Sequence, residues 1–492
     1  MPSFPNALGR SYTLSNRITD QELTINWFAE ISESKGATSQ VSFLPTPGVE
    51  QAVLVAKVGW RAMWQMNGRC FGVCQDTLYE ITMSAGSFVA TSRGTVALDN
   101  NPATICTNGD GGGQLFITSG GNGYCYTLAT NVLTQIAALN GLATQGDYLG
   151  GYFLAFDANT STVYFSDLLD GATWDPTNFF QRTNQPDRWV AMKVTSWNYI
   201  FLIGEQTGEG WYPNGELDLP FQPDPSATFV KGCAAAFSLT NAGGTLVWLS
   251  KNNDGDFEVI AAAGLEPQRI SDFALETQLA EYVRDGLSIS NAIGQSFRMQ
   301  GHTWYRLTLP TTGIEKTWQF DFTSGWWTLV GTWIPEESEY TYFRPVFVCF
   351  AFNHTLAGDR ESGVLYHLDM NFTSDVDGRV IRRVRRTPAV VQAQTYVYHR
   401  KLTLLMQVGI DVPISGTGSN PLLMLRYSDD GGITWGNEID LSVGELGNTS
   451  ALVWFWQLGV ARNRVYELSC TDPVPWKISE AYLDARRSLE AA

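Results

Sequence analysis

The feature that most restricts the fold is a recurring unit between about Trp60 and Asp369: a short aromatic-rich strand, a Gly/Asn/Asp turn, and a second strand often ending in Asp or Glu. Taking the aromatic of each second strand as a marker gives Tyr79, Tyr126, Tyr164, Trp211, Phe257, Trp318 and Tyr366, with steps of 47, 38, 47, 46, 61 and 48 residues. Four-stranded propeller blades recur at ~40 to 50 residues, because such a sheet covers its apolar faces only by leaning on neighbours around a ring. The spacing predicts an all-β chain with a β-propeller of six or seven diverged blades. A stack of sandwiches would also space hairpins evenly, and at this point that alternative stays open.

The 61-residue step has a local cause. Ser271 to Val283 places Phe273, Leu275, Leu279, Tyr282 and Val283 at the spacing of a short amphipathic helix, one insertion in a β array. Gly208 to Phe229, rich in Pro, Gly and Asp, reads as a long loop leaving the blade surface, a common place for partner contact.

The pattern changes after Asp369. We expect an N-terminal segment over residues 1–55 that closes the ring or reaches a neighbouring subunit, the propeller over 56–372, an Arg-rich linker over 373–388, and a C-terminal β-sandwich over 389–492. Charge divides at nearly the same place. Met1 to Gly378 holds 19 Lys plus Arg against 38 Asp plus Glu, a net of -19, whereas Arg379 to Ala492 holds 13 against 11, a net of +2.

A total of -17 repels phosphate, so a general DNA binder is not expected. Sixty-two Trp, Tyr and Phe residues and 47 Gly favour pleated surfaces and tight turns over disorder. The start carries no secretory pattern and no run reaches the ~18 apolar residues of a membrane span, which predicts a chain made in a cytoplasm without a membrane-spanning segment. Seven scattered cysteines imply no disulfide framework.

The sharpest local motif runs from Ser428 through Asp430, Gly432 and Thr434 to Trp435, an Asp-box pattern in which carboxylate and hydroxyl bind backbone N–H groups of a tight hairpin above the Trp. It predicts a structural turn. A sialidase would show several such boxes plus an Arg cluster and a Tyr nucleophile. Catalysis finds little else, since no G-x-S-x-G elbow occurs and His302, His354, His367 and His399 form no sequence cluster. Cys70 and Cys74 lack a second metal-binding pair, Gly109 to Gly113 lacks the Lys-Ser/Thr of a phosphate loop, and the Asn252 to Asp256 and Asp375 to Gly378 turns lack the later Glu of a calcium loop. No metal, cofactor or enzymatic activity is predicted. Arg382, Arg383, Arg385 and Arg386 are the concentrated cationic feature. Solvated linker, nucleic-acid contact and ion pairing compete for them, and pairing with the acidic face of a neighbouring subunit is favoured.

With these elements placed, one stretch becomes recognisable: Ile270-Ser271, the helix through Tyr282, Gly301 to Pro310 (GHTWYRLTLP), Thr317-Trp318, Phe320-Asp321 and Gly325-Trp326-Trp327. It resembles the packaged-DNA stabilisation, or tail hub/nozzle, family of short-tailed bacteriophages, as do Asn26 to Glu30, Leu44 to Gly48 and Arg462 to Leu483. Trp304 and Phe320 stand where that family more often has Phe and Tyr. The resemblance implies a structural virion protein of the phage tail. It would form a homohexameric ring below the portal-adaptor ring, continue the DNA channel without reading sequence, help retain and eject the genome, and anchor a tail needle, plug or tailspike/fibre. A carbohydrate-binding or sialidase-like propeller is the alternative reading.

Overall fold

A computed structural model describes residues 4–487, except 5, 15, 17–19, 35–38, 67, 110, 183–185, 217, 253, 392–394, 408–416, 445–446 and 448–449. Asp110 of the glycine loop and Asn253 of one acidic turn therefore lie outside the described residues.

Seven four-stranded antiparallel units make the propeller. Their first strands are Trp60–Met66, Thr104–Thr107, Gln145–Leu149, Trp189–Val194, Thr240–Ala242, Ile293–Met299 and Pro345–Ala351, which number blades 1 to 7. Neighbouring first strands touch in that order around the axis, blades 4 and 5 through Asn241 and the Val194 carbonyl, and blade 7 returns to blade 1. The seven marker aromatics occupy the third strand of every blade, from Thr77–Ser84 in blade 1 to Val364–Asp369 in blade 7. Second strands such as Tyr152–Asp157 and Ile200–Gly204 are buried throughout, as near-continuous apolar runs require when both faces are covered by adjacent blades. Outer strands such as Ser87–Thr95 are polar and largely open to solvent.

The recurrent terminal acids serve the turns. Asp157, Asp321 and Asp359 each accept a backbone N–H from the residue two positions on and a hydroxyl from the residue three on, Thr160, Ser324 and Ser362. These Asx turns supply the backbone with local partners where the strand ends.

The ring closes through Gly48–Leu54, which pairs antiparallel with Val364–Asp369 as the fourth strand of blade 7. The propeller thus takes in residues ahead of the expected start at 56. The helix Phe273–Arg284 lies between blades 5 and 6, capped by Asp272, whose carboxylate accepts from the Leu275 N–H. Leu275 and Leu279 pack into the blade 6 core against residues including Trp318 and Trp327, but Phe273 and Val283 face solvent rather than the core. The stretch from Gly208 is a hairpin, Gly208–Pro213 with Phe221–Phe229, and not a loop. Gly210 sits at a register shift and Pro223 and Pro225 in an outermost strand, where missing side chains and N–H groups are tolerated.

The supposed linker is also strand. Arg383–Arg386 lies between Gln21–Ile25 and Asn463–Cys470, and Gln21–Ile25 in turn meets Trp326–Ile334, the fourth strand of blade 6. One twelve-stranded sheet therefore runs from the propeller into the sandwich without a break. The second sandwich sheet is ordered Trp27–Ile31, Val41–Pro45, Lys477–Arg487, Val397–Gln407, Ala451–Trp456. Trp27, Phe43, Leu404, Leu425, Tyr466 and Trp476 contribute to the core between the sheets.

Asn26 turns the chain from the first sheet to the second. It holds a φ of 60°, a left-handed conformation that Asn tolerates better than most residues. Its Nδ2 donates at 2.9 Å to the carbonyls of Gly331 and Arg382, and its Oδ1 accepts from the Gly331 N–H at 3.0 Å. One side chain thereby ties blade 6, the arginine strand and the N-terminal segment together.

Candidate functional site: the axial channel and the arginine strand

The channel on the propeller axis encloses about 500 Å³. Each blade contributes its first strand, represented by Met63, Ile105, Gln145, Met192, Asn241, Gln295 and Val348. Polar side chains stitch neighbouring blades: Thr104 accepts from the Gly146 N–H at 2.8 Å, Gln145 from Met192 at 2.8 Å and Asp147 from Val194 at 3.0 Å, and Asn241 donates to the Val194 carbonyl at 2.8 Å. Lys193 and Asp147 pair at 2.8 Å beside this seam. The volume matches a small-molecule cavity, so the bore of a single subunit is no passage for a duplex.

The arginines follow the alternation of their strand. Arg385 is fully enclosed and uses its whole guanidinium within the subunit. It donates to the carbonyls of Ala7 (2.7 Å), Arg10 (3.1 Å) and Asn6 (2.8 Å), to the Thr24 hydroxyl (3.0 Å) and to the Glu22 carboxylate (2.6 Å). Gly9 lies against this pair, where a Cβ would stand 2.8 Å from a guanidinium nitrogen. Burial lowers the Arg385 pKa, and the Glu22 charge opposes that fall. Arg383 is buried as well, with its Nε unpartnered and its nearest carboxylate influence from Asp375, whose own pKa burial pushes up to about 6.

Arg386 and Arg382 belong to a different cluster. Arg386 donates to Glu467 at 2.7 and 3.0 Å, and Arg426 grips the other oxygen of the same buried carboxylate. Both guanidinium carbons lie 4.8 Å from the centre of the Trp435 ring. The Asp box and the arginine run, separate in sequence, thus share one indole. Arg382 covers Trp333 at 4.3 Å and lies 3.7 Å from Glu438. Arg383 and Arg385 are accordingly not available to a neighbouring subunit, because strand pairing turns them into the junction between propeller and sandwich.

Within the box, Asp430 accepts from the Ile433 and Thr434 N–H groups at 3.0 and 2.9 Å and from the Thr434 hydroxyl at 2.5 Å, while Ser428 Oγ accepts from Gly432 N–H at 2.7 Å. These bonds hold the Asp430 carboxyl well below its usual range. Gly432 has a φ of 78°, and a Cβ there would strike Gln21 Oε1 at 2.2 Å. The box lies in the sandwich, between Leu422–Ser428 and Ile439–Ser442.

The histidines are dispersed. His302 meets Asp321 at 2.8 Å, His354 meets His367 at 3.1 Å, and the Tyr466 hydroxyl meets His399 Nδ1 at 2.8 Å. Buried Arg306 is held between the Phe297 and Phe343 rings, each 4.7 Å away. Among the described residues no group of three His, Cys, Asp or Glu side chains is placed to hold a metal ion, and no helix is long and apolar enough to cross a membrane.

This two-domain plan has a counterpart in known families. A family model described as bacteriophage P22 Gp10, β-propeller, matches residues 12–373, and one described as bacteriophage P22 Gp10, β-sandwich, matches 382–486. The chain belongs to the bacteriophage P22 Gp10 family. Membership in this Gp10 family makes it a phage structural protein of the stabilisation type. The first Gp10 match ends at 373 and the second opens at 382, beside the arginine strand, which completes a sheet to which both domains contribute.

No curated protein matches the chain in sequence. Solved structures to which it is similar include virginiamycin B lyase from Staphylococcus aureus, at 9% identity and a TM-score of 0.40 over 65% of this chain and 99% of that one. The N-terminal domain of Nup159 is similar at 9% identity and 0.41, over 70% and 98%. The extracellular domain of the putative hybrid two component system BT4673 from B. thetaiotaomicron is similar at 11% and 0.41, over 85% and 60%. These likenesses are too distant to bear on function.

Proposed function

We propose that this chain is the wall unit of a phage tail hub or nozzle. Six copies form a ring below the portal-adaptor ring, continue the DNA channel, help retain the packaged genome, and anchor a needle, plug or tailspike/fibre. The observation that carries this reading is the match of both domains to one phage stabilisation family. The fold supports it physically: a closed propeller locked to a sandwich by one sheet is a rigid block, suited to bearing load. The buried ionisable groups described above serve packing and turns, which fits a wall rather than an enzyme.

Six copies carry a formal 6 × -17 = -102 charges. An assembly of that charge offers phosphate few partners, so duplex DNA passes without adhering and is retained by a constriction or plug. Native mass spectrometry of the full chain, alone and with a portal-adaptor ring, tests the reading. A hexamer is expected, while a chain that stays monomeric in both conditions refutes the hub. Duplex binding by isolated rings with a steep salt dependence would refute the non-adhering channel.

A further inference from the structure

The outer sheet of the sandwich has a face built for burial. Its edge strand Ala451–Trp456 alternates buried and exposed residues, yet both sets are apolar. Ala451, Val453 and Phe455 enter the core, while Leu452, Trp454 and Trp456 point outward at 50%, 45% and 52% exposure. An antiparallel strand with one solvated face ordinarily places polar residues outward. Apolar residues on both faces belong to a strand with protein on either side.

The register puts Lys401 beside Trp456, and its ammonium lies 4.6 and 5.7 Å from the Trp456 and Trp454 ring centres. Arg400 and Arg486 lean on a single carboxylate, Asp484, at 3.5 and 3.4 Å. Two indoles and a leucine therefore sit within a rim where cations outnumber anions.

The complementary surface lies at the far side of the propeller. The sandwich continues from blade 6, and blade 3 is three steps away around a ring of seven, as distant as any blade can be. Between the blade 3 strands Thr162–Phe165 and Phe179–Gln181, Leu168 and Leu169 stand 53% and 59% exposed, flanked by Asp167 and Asp170. Leu168 overhangs the Gly150–Gly151 turn, which also approaches Pro213 of blade 4, whose hairpin tip carries exposed Glu216. Asp170 is held by Gln114, Ala172 and Thr173, so the rim pairs its leucines with the exposed carboxylates of Asp167 and Glu216.

We propose that the Trp454/Trp456 face of one copy docks head to tail on the Leu168/Leu169 rim of a second copy. The inference rests on the ring-forming reading above and names the surfaces that close the ring. Indoles cover leucines while Arg400 and Arg486 meet Asp167 and Glu216, and a heterologous contact between opposite ends of a molecule generates a ring when the rotation closes.

Sedimentation velocity on the full chain tests it. Trp454→Ser/Trp456→Ser and Leu168→Ser/Leu169→Ser, both surface changes in different domains, are each expected to weaken assembly roughly thirty-fold. An equimolar mixture of the two variants retains one intact face and one intact rim, so it yields dimers and nothing larger. Arg400→Glu/Arg486→Glu and Asp167→Arg/Glu216→Arg each weaken assembly, and the quadruple variant recovers it. A wild-type chain that assembles while both serine variants assemble equally well overturns the docking surfaces and leaves the ring. Full assembly of Leu168→Ser/Leu169→Ser alone overturns the head-to-tail arrangement. A wild type that remains monomeric with and without the portal-adaptor ring overturns the ring itself, and with it this contact.

Discussion

The guanidinium of Arg385 lies 2.6 Å from the Glu22 carboxylate, and the arginine has no exposed surface. Around it, three carbonyls from Asn6, Ala7 and Arg10 complete the shell. A surface ion pair contributes little, but removing one member of an enclosed pair strands a charge and its hydrogen-bond partners. Arg385→Ala is therefore expected to cost about 3 to 5 kcal/mol, read as a fall in the urea midpoint. Arg385→Met, which fills the volume but leaves Glu22 alone, is expected to fall short of wild type as well. Wild-type midpoints for both would show that the pair does not secure the N-terminal segment.

His399 gives the sandwich an acid limit. It is buried, shares a hydrogen bond with the Tyr466 hydroxyl through Nδ1, and burial together with nearby Arg464 lowers its pKa to about 4. The unfolded chain binds this proton near pH 6.5, so the folded state gains stability above that value and loses it as pH falls toward 4. Wild type is expected to lose about 2 kcal/mol between pH 6.5 and 4 that His399→Asn, which keeps an acceptor but does not titrate, retains. Parallel pH profiles for the two proteins would contradict this.

Six of the seven cysteines are buried and Cys349 is half-buried, all as free thiols. Burial pushes Cys74, Cys125, Cys233 and Cys470 up to about 12, so they are protonated and unreactive at pH 8. A disulfide reagent should release colour from at most the Cys349 thiol in the native protein, and from all seven in denaturant. Rapid reaction of several thiols in the native state would count against these cores.

Val49 lies in the strand that closes blade 7 and donates its N–H to the Ser374 carbonyl at 2.8 Å. Val49→Pro removes that donor and strands the Ser374 carbonyl, loosening the closing strand on the side away from Leu368, at a cost of about 1 to 3 kcal/mol. Hydrogen exchange should rise first in Val364–Asp369, with blades 3 and 4 keeping their protection. A uniform rise across all blades would mean that the ring does not open at this seam.

The blades were legible because burial between neighbours imposes a repeated apolar pattern, and the seven markers share one strand position. Their number became definite only with Gly48–Leu54, since a strand more than 300 residues from its partner leaves no local signal. The arginine run was misread for a similar reason. A buried guanidinium looks like a solvated one until its acceptors, such as Glu22 or Glu467, are brought from elsewhere. Phe273 shows the same limit in a helix, where periodicity marks an apolar residue but not whether anything covers it. The Asp box was readable because its turn hydrogen bonds all fall within seven residues, from Ser428 to Thr434.

The strand Gln21–Ile25, seated between blade 6 and Arg383–Arg386, also sets a timetable. It leaves the ribosome long before Asn463–Cys470, with which it shares a sheet. At ~5–20 residues per second, that interval lasts roughly twenty to ninety seconds. During this time the sheet that joins propeller and sandwich lacks the strand beyond Arg383–Arg386, and no shorter nascent chain can complete the junction.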